Sequence, residues 1–224
     1  MTGNVTYRGP DDLPGEIAVF PLTGALLLPR GQLPLNIFEP RYIDMIDDAL
    51  AGHRVVGMVQ PRFDASGSGA ERAPELCAIG CAGRLTSVSE TGDGRYLVTL
   101  TGISRFRLLE EIPSGGQFRR ARISAAEFAE DFVARAGEDA VDRKGLLKAF
   151  RNYLEANKLE ADWDSVGKAS TEALVNALSM MSPFGPPEKQ ALLEAPDLKT
   201  RADTLVAITE IAARTSGGEA PSLQ

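Results

Sequence analysis

Side chains able to do covalent chemistry are scarce and scattered in this sequence. There is one histidine, His53, directly after Gly52 at the end of a helical stretch. A cationic imidazole there suits the carbonyl-rich helix terminus, so a surface or capping role outweighs catalysis. No His-Glu-x-x-His and no Gly-x-Ser-x-Gly occurs, and serines and lysines are plentiful without any local pairing that would mark a dyad. The two cysteines, Cys77 and Cys81, lie in LCAIGCAGRL. That segment reads as a strand, which sets them about 13 Å apart, whereas a disulfide needs Cα atoms within about 7 Å. A zinc site would need two further ligands, so buried thiols are the expectation and no metal is expected.

The remaining candidates bind rather than react. Glu39 and Arg41 sit together in FEPRY. They could dock a peptide backbone or carboxylate, since guanidinium grips carboxylate in two places. Orienting a strand-to-helix junction by hydrogen bonds is the favoured alternative. Met180, Met181, Pro183 and Phe184 form an apolar cluster where a helix must stop. Such adaptable surfaces suit promiscuous binding of apolar segments. Packing between two parts of the chain is favoured over binding, because Met181 continues its helix's stripe; Met180 and Phe184 are the expected exposed pair. Phe118 with Arg119, Arg120 and Arg122 gives a basic strand with an aromatic, read either as an RNA contact or as an edge guarded by charge. The net charge of −7 disfavours the first.

Two kinds of element must position these groups. Up to residue 124 the pattern is strand-like: EIAVFPL, the alternating QLPLNIF, RVVGMVQ, LCAIGCAGRLTSVSE, RYLVTLTGISRFRLLEEI and FRRARI. Pro40 opens one short helix with Tyr42, Ile43, Ile46, Ala49 and Leu50 at helical spacing. Asp93-Gly94 suits a tight hairpin turn, Gly102 marks a bulge or bend, and residues 62–75 read as a mobile loop. These features predict a mainly antiparallel barrel or curled sheet.

Beyond residue 124 the period becomes helical. Leu146 to Leu154, Ala173 to Met181 (capped by Ser170), EKQALLEA and Leu198 to Ala212 make four stripes that must pack on each other or on the sheet. The charge changes at the same place: 13 arginines face 14 acids before residue 125, and 11 basic face 17 acidic residues after it. We therefore expect a β subdomain over 15–124, a helical bundle over 125–214, and flexible tails at 1–14 and 215–224. No run reaches the roughly 18 apolar residues of a membrane span, and no signal peptide is visible, so the cytosol is expected.

Several of these segments resemble the N-terminal substrate-binding domain family of the Lon ATP-dependent protease. FPLTGALLLPRGQLPLNIFEPRY is the most specific, with Phe38 to Tyr42 unbroken. The Gly80 strand, GDGRYLVTLTGISRFRL and PPEKQALLEAPDLKTRADTLVAI follow in family order, so the resemblance spans roughly residues 15–212. It implies an α+β fold, a PUA-like barrel followed by a helical bundle. It also implies a non-enzymatic module without cofactor that recognises unfolded or tagged polypeptides in protein quality control. Clients, or an ATP-dependent protease or chaperone, would be its partners; nucleic acid and membrane would not. The chain ends where a coiled linker and ATPase begin in full-length members, and it holds no Gly-x-x-x-x-Gly-Lys-[Ser/Thr] phosphate loop. Alternatives are an RNA-binding PUA-like module, a regulatory partner of a separate protease, or an unrecognised hydrolase. The resemblance singles out no binding residue, so Met180, Phe184, Glu39, Arg41 and Phe118 remain the peptide-binding candidates.

Overall fold

The computed structural model describes residues 5–62, 74–157 and 160–217. Six strands come first: β1 (Glu16–Pro21), β2 (Gln32–Ile37), β3 (Val55–Val59), β4 (Ile79–Glu90), β5 (Tyr96–Ile112) and β6 (Arg119–Ser124). Helix α1 (Pro40–Ala51) lies between β2 and β3. Five helices follow: α2 (Arg143–Ala156), α3 (Trp163–Lys168), α4 (Thr171–Met181), α5 (Pro186–Glu194) and α6 (Leu198–Gly217).

The sheet order is β2-β5-β4-β3-β1-β6, and β6 also pairs with β5. The ring therefore closes over β5, β4, β3, β1 and β6. The 17-residue β5 makes this possible: its first half pairs with β2 and its second half with β6. Strand β2 remains outside the ring and, among the described residues, is paired on one side only. All pairings are antiparallel except β1 with β3. That one parallel pair is compatible with the mainly antiparallel sheet expected, which included one short helix among its connections. It arises because β2 and α1 carry the chain across before β3 begins.

Alternation along the strands separates two cores. Ile17, Val19, Val55, Val59, Ala82, Phe106, Ala121 and Ile123, drawn from all five ring strands, fill the barrel interior. Phe106 is the plug: a Cβ at Gly57 or Gly80 would meet its ring, so those glycines make its room. The opposite faces carry Ala18, Phe20, Val56, Met58, Cys81 and Leu100, which join α1 and the C-terminal helices in one continuous cluster.

The irregularity expected at Gly102 is present. Gly83 pairs with Gly102 and Ala82 with Ser104, leaving Ile103 without a partner. Gly102 also lies hard against the Leu28 carbonyl, where no Cβ fits. At the β4–β5 hairpin the positive φ values belong to Gly92 and Gly94, not to Asp93. Residues 5–14 are not the tail expected from composition, since Leu13 is buried and Tyr7 receives a hydrogen bond from Arg84. Helix α6 runs through Gly217. Most of the anticipated loop (63–73) and the remainder of the C-terminal segment (218–224) lie outside the described residues. Helix α3, capped by Asp162, was not anticipated, because six residues are too few to show a stripe.

Candidate functional site

Helix α4 is where barrel and helices meet. Ser170 caps it by accepting the Ala173 N–H at 3.1 Å. One face, Leu174, Val175 and Leu178, is buried in the shared core. The outer face shows Ala173, Ala177 and Met181 at four-residue spacing, and Met181 is 82% exposed. This ridge separates two apolar grooves that share all three of its residues. One, of about 460 Å³, runs between α4 and β2 and is floored by Pro29, Leu33 and Met180. The other, of about 630 Å³, lies between α4 and α2–α3, with Tyr153, Leu154 and Val166 in its walls.

A buried polar network holds α4 against the barrel. Arg105 of β5 and Asp131 are both buried, and the carboxylate accepts from Arg105 Nε at 2.9 Å, Nη2 at 2.8 Å and the backbone N–H at 2.9 Å. The same guanidinium donates to the carbonyls of Leu193 and Ala195 at the end of α5. Arg201 of α6 donates to the Leu192 carbonyl at 2.9 Å and to Asn176 at 3.2 Å, and Asn176 donates to the Pro29 carbonyl at 3.1 Å. Burial and the neighbouring Arg105 cation push Arg201 down to about 10. Nearer the surface, Glu172 accepts from Arg30 Nε at 3.0 Å and from the Arg135 backbone N–H at 2.8 Å. Gln60 and Gln190 make a second link, with Gln190 Nε2 donating to the Ile79 carbonyl at 3.1 Å.

The anticipated site residues do not come together. Met180 and Phe184, expected to be exposed, are half-buried. Met180 packs on Gly31, and the Phe184 ring lies 6.4 Å from that of Tyr153. The exposed residue is Met181, expected to face the core. One step along a helix is a turn of about 100°, and the arrival of β2 beside α4 selects which methionine is covered. Phe118 is buried at 8% exposure rather than displayed, with Arg120 over its ring at 5.7 Å.

Glu39 and Arg41 bind one another. Arg41 Nε and Nη2 donate to Glu39 Oε2 at 2.9 and 2.7 Å, and the Glu39 carbonyl receives the Tyr42 and Ile43 N–H groups. They sit at the start of α1, away from both grooves. The arginines of β6 each have a carboxylate: Arg119 has Glu111, Arg120 has Asp48, and Arg122 has Glu16 and Glu110. Cys81 is buried in the shared core, and burial pushes its thiol well above the usual range. Cys77 lies just before β4 rather than within it. Among the described residues no helix is long and apolar enough to cross a membrane.

Sequence reading missed Arg30, Arg135, Glu172 and Asn176. Arg30 and Glu172 lie 142 positions apart, so no spacing pattern could have joined them.

Comparison with known proteins gives one consistent answer. The family model for the ATP-dependent protease La (LON) substrate-binding domain matches residues 16–210. Lon protease 2 of Myxococcus xanthus is 28% identical over 85% of this chain and 23% of its own length. Lon protease of Anaeromyxobacter dehalogenans is 30% identical over 52% of this chain and 14% of its own. The chain thus spans about a quarter or less of the curated relatives it matches. Two solved structures share the fold. The Lon N-terminal domain protein from Xanthomonas campestris has a TM-score of 0.59 at 22% identity, covering 86% of this chain and 97% of that one. The N-terminal domain of the Mycobacterium avium complex Lon protease has a TM-score of 0.64 at 18% identity, covering 87% and 97%.

Proposed function

The chain belongs to the family of ATP-dependent protease La (LON) substrate-binding domains, and from that premise we propose that it captures exposed apolar segments of unfolded polypeptides on α4. The observation that carries this reading is the Ala173–Ala177–Met181 ridge, solvent-exposed and flanked on both sides by apolar grooves. Methionine adapts to many partner shapes, which suits clients of varied sequence. The binding module carries out no chemistry itself; in protein quality control, captured segments pass to an ATP-dependent protease or chaperone in the cytosol. An RNA-binding role draws no support, because every β6 arginine already faces a carboxylate.

The test is binding of a reduced, alkylated and permanently unfolded protein, followed by isothermal calorimetry. Met181→Asp should weaken binding at least about tenfold, the effect of leaving a charge in an apolar contact. Its melting temperature should stay unchanged, since the side chain is exposed. Unaltered affinity in this variant would remove α4 from the reading.

A further inference from the structure

The groove between β2 and α4 changes character along its length. Leu33, Met180 and Met181 line its apolar end, while Arg30 and Arg135 stand beside the N-terminus of α4. These two arginines are among only three non-glycine residues with left-handed backbone in the described chain, at φ 62° and 64°. Side-chain-bearing residues are strained there, and such strain persists where surrounding contacts enforce it, often at functional sites. Here one carboxylate helps to hold both: Glu172 binds the Arg30 side chain and the Arg135 N–H. Glu138 adds a contact to Arg135 Nε at 2.7 Å.

The four charges cancel in number but not in space. The Glu172 and Glu138 side chains are 11% and 10% exposed, and their Arg30 and Arg135 partners are 38% and 68% exposed. The carboxylates lie beneath; the Arg30 guanidinium turns inward onto Glu172 and the Asp131 carbonyl, and that of Arg135 faces outward. The described side-chain bond of Arg135 uses Nε, which leaves its two terminal nitrogens positioned for a two-pronged contact with a carboxylate. The positive end of the α4 dipole favours the same charge. Past Arg30 the space narrows to about 30 Å³, walled partly by Glu130 and Asp197. That space is too small for a polypeptide to continue into it. From Ala173 to Met181 the helix rises about 12 Å, the length of about four extended residues.

We propose that this groove receives the end of a polypeptide chain, with apolar side chains over Leu33 and Met181 and the C-terminal carboxylate on the terminal nitrogens of Arg135. The inference rests on the apolar-capture reading above and narrows its client to chain termini.

The experiment titrates the whole chain against three fluorescein-labelled peptides by anisotropy. All share an Ala/Leu sequence: one ends in a free carboxylate, one in a carboxamide, and one is extended by four Gly/Ser residues. The free acid should bind about tenfold tighter than the other two, the worth of a charge-assisted contact, and the preference should shrink with added salt. Arg135→Asn, chosen because asparagine tolerates left-handed backbone, should erase the difference between the free acid and the carboxamide. Equal affinity for all three peptides, or a preference that survives Arg135→Asn, overturns the inference and leaves apolar capture standing. Binding of none overturns both.

Discussion

Asp131→Asn tests whether Arg105 and Asp131 act as one buried unit that ties β5 to the end of α5. The substitution preserves shape and removes the carboxylate that receives three hydrogen bonds from Arg105. Both side chains are under a tenth exposed, so the guanidinium is left buried without a counter-charge. Breaking such a pair costs about 3–5 kcal/mol. Asparagine keeps one acceptor, which places the expected loss near the lower figure, about 3 kcal/mol. Arg105→Met should cost more, because it also strips donors from the carbonyls of Leu193 and Ala195. Each orphaned buried carbonyl adds about 1–3 kcal/mol. The double variant should be no less stable than Arg105→Met alone, since Asp131 has then nothing left to neutralise. The resulting coupling is about 3 kcal/mol, at the upper end for contacting residues. Urea unfolding read by far-ultraviolet circular dichroism and by the single tryptophan, Trp163, measures all three variants. A domain stability of about 5–15 kcal/mol keeps Asp131→Asn folded in water. A loss below about 1 kcal/mol in Asp131→Asn, or a double variant equal to the sum of the singles, would refute the argument that these residues act as one buried unit.

Two further outcomes follow from the same structure. Gly102→Ala drives a Cβ into the Leu28 carbonyl and should cost about 1–3 kcal/mol by overpacking, whereas Gly115→Ala, with open space around it, should stay within about 0.5 kcal/mol; comparable losses in the two would sink the close-approach argument. Stability should also fall in acid. Burial pushes the Glu138 carboxyl up, but the Glu172 N–H and Arg135 outweigh it and hold the group below its ordinary 4.5, and the Thr200 N–H does the same for Asp197 below 3.8. Because the folded values lie beneath the unfolded ones, this contribution is complete above about pH 4.5 and is lost as pH falls through the folded values. Glu138→Gln should flatten that decline in melting temperature, and an identical acid slope in the variant would count against it.

Local patterns made much of this fold legible. Phe38 to Tyr42 marked a strand entering a helix, and the structure shows that junction, with Pro40 in the first turn of α1. Ser170 marked the cap of α4, and Gly102 marked the break in β5. Each is decided within a few residues by hydrogen bonding or by the space a side chain needs. Periodicity likewise separated strands from helices, because periods of two and 3.6 are properties of the backbone itself.

Tertiary structure decided what that periodicity leaves open. An amphipathic stripe defines a face about 100° wide; whether Met180 or Met181 lies at its edge depends on where β2 packs. The closing of β6 onto β5, the parallel β1–β3 pair and the burial of Phe118 depend on register between distant segments. The arginines show the division most plainly. Their number and positions are plain in sequence, but ion-pair partners come from tertiary geometry. Closure of the barrel sets the β6 arginines against acids, buries Arg105 on Asp131, and leaves Arg30 and Arg135 facing a groove. Charge acts through space over a few ångströms, and only the folded chain defines which residues those ångströms join.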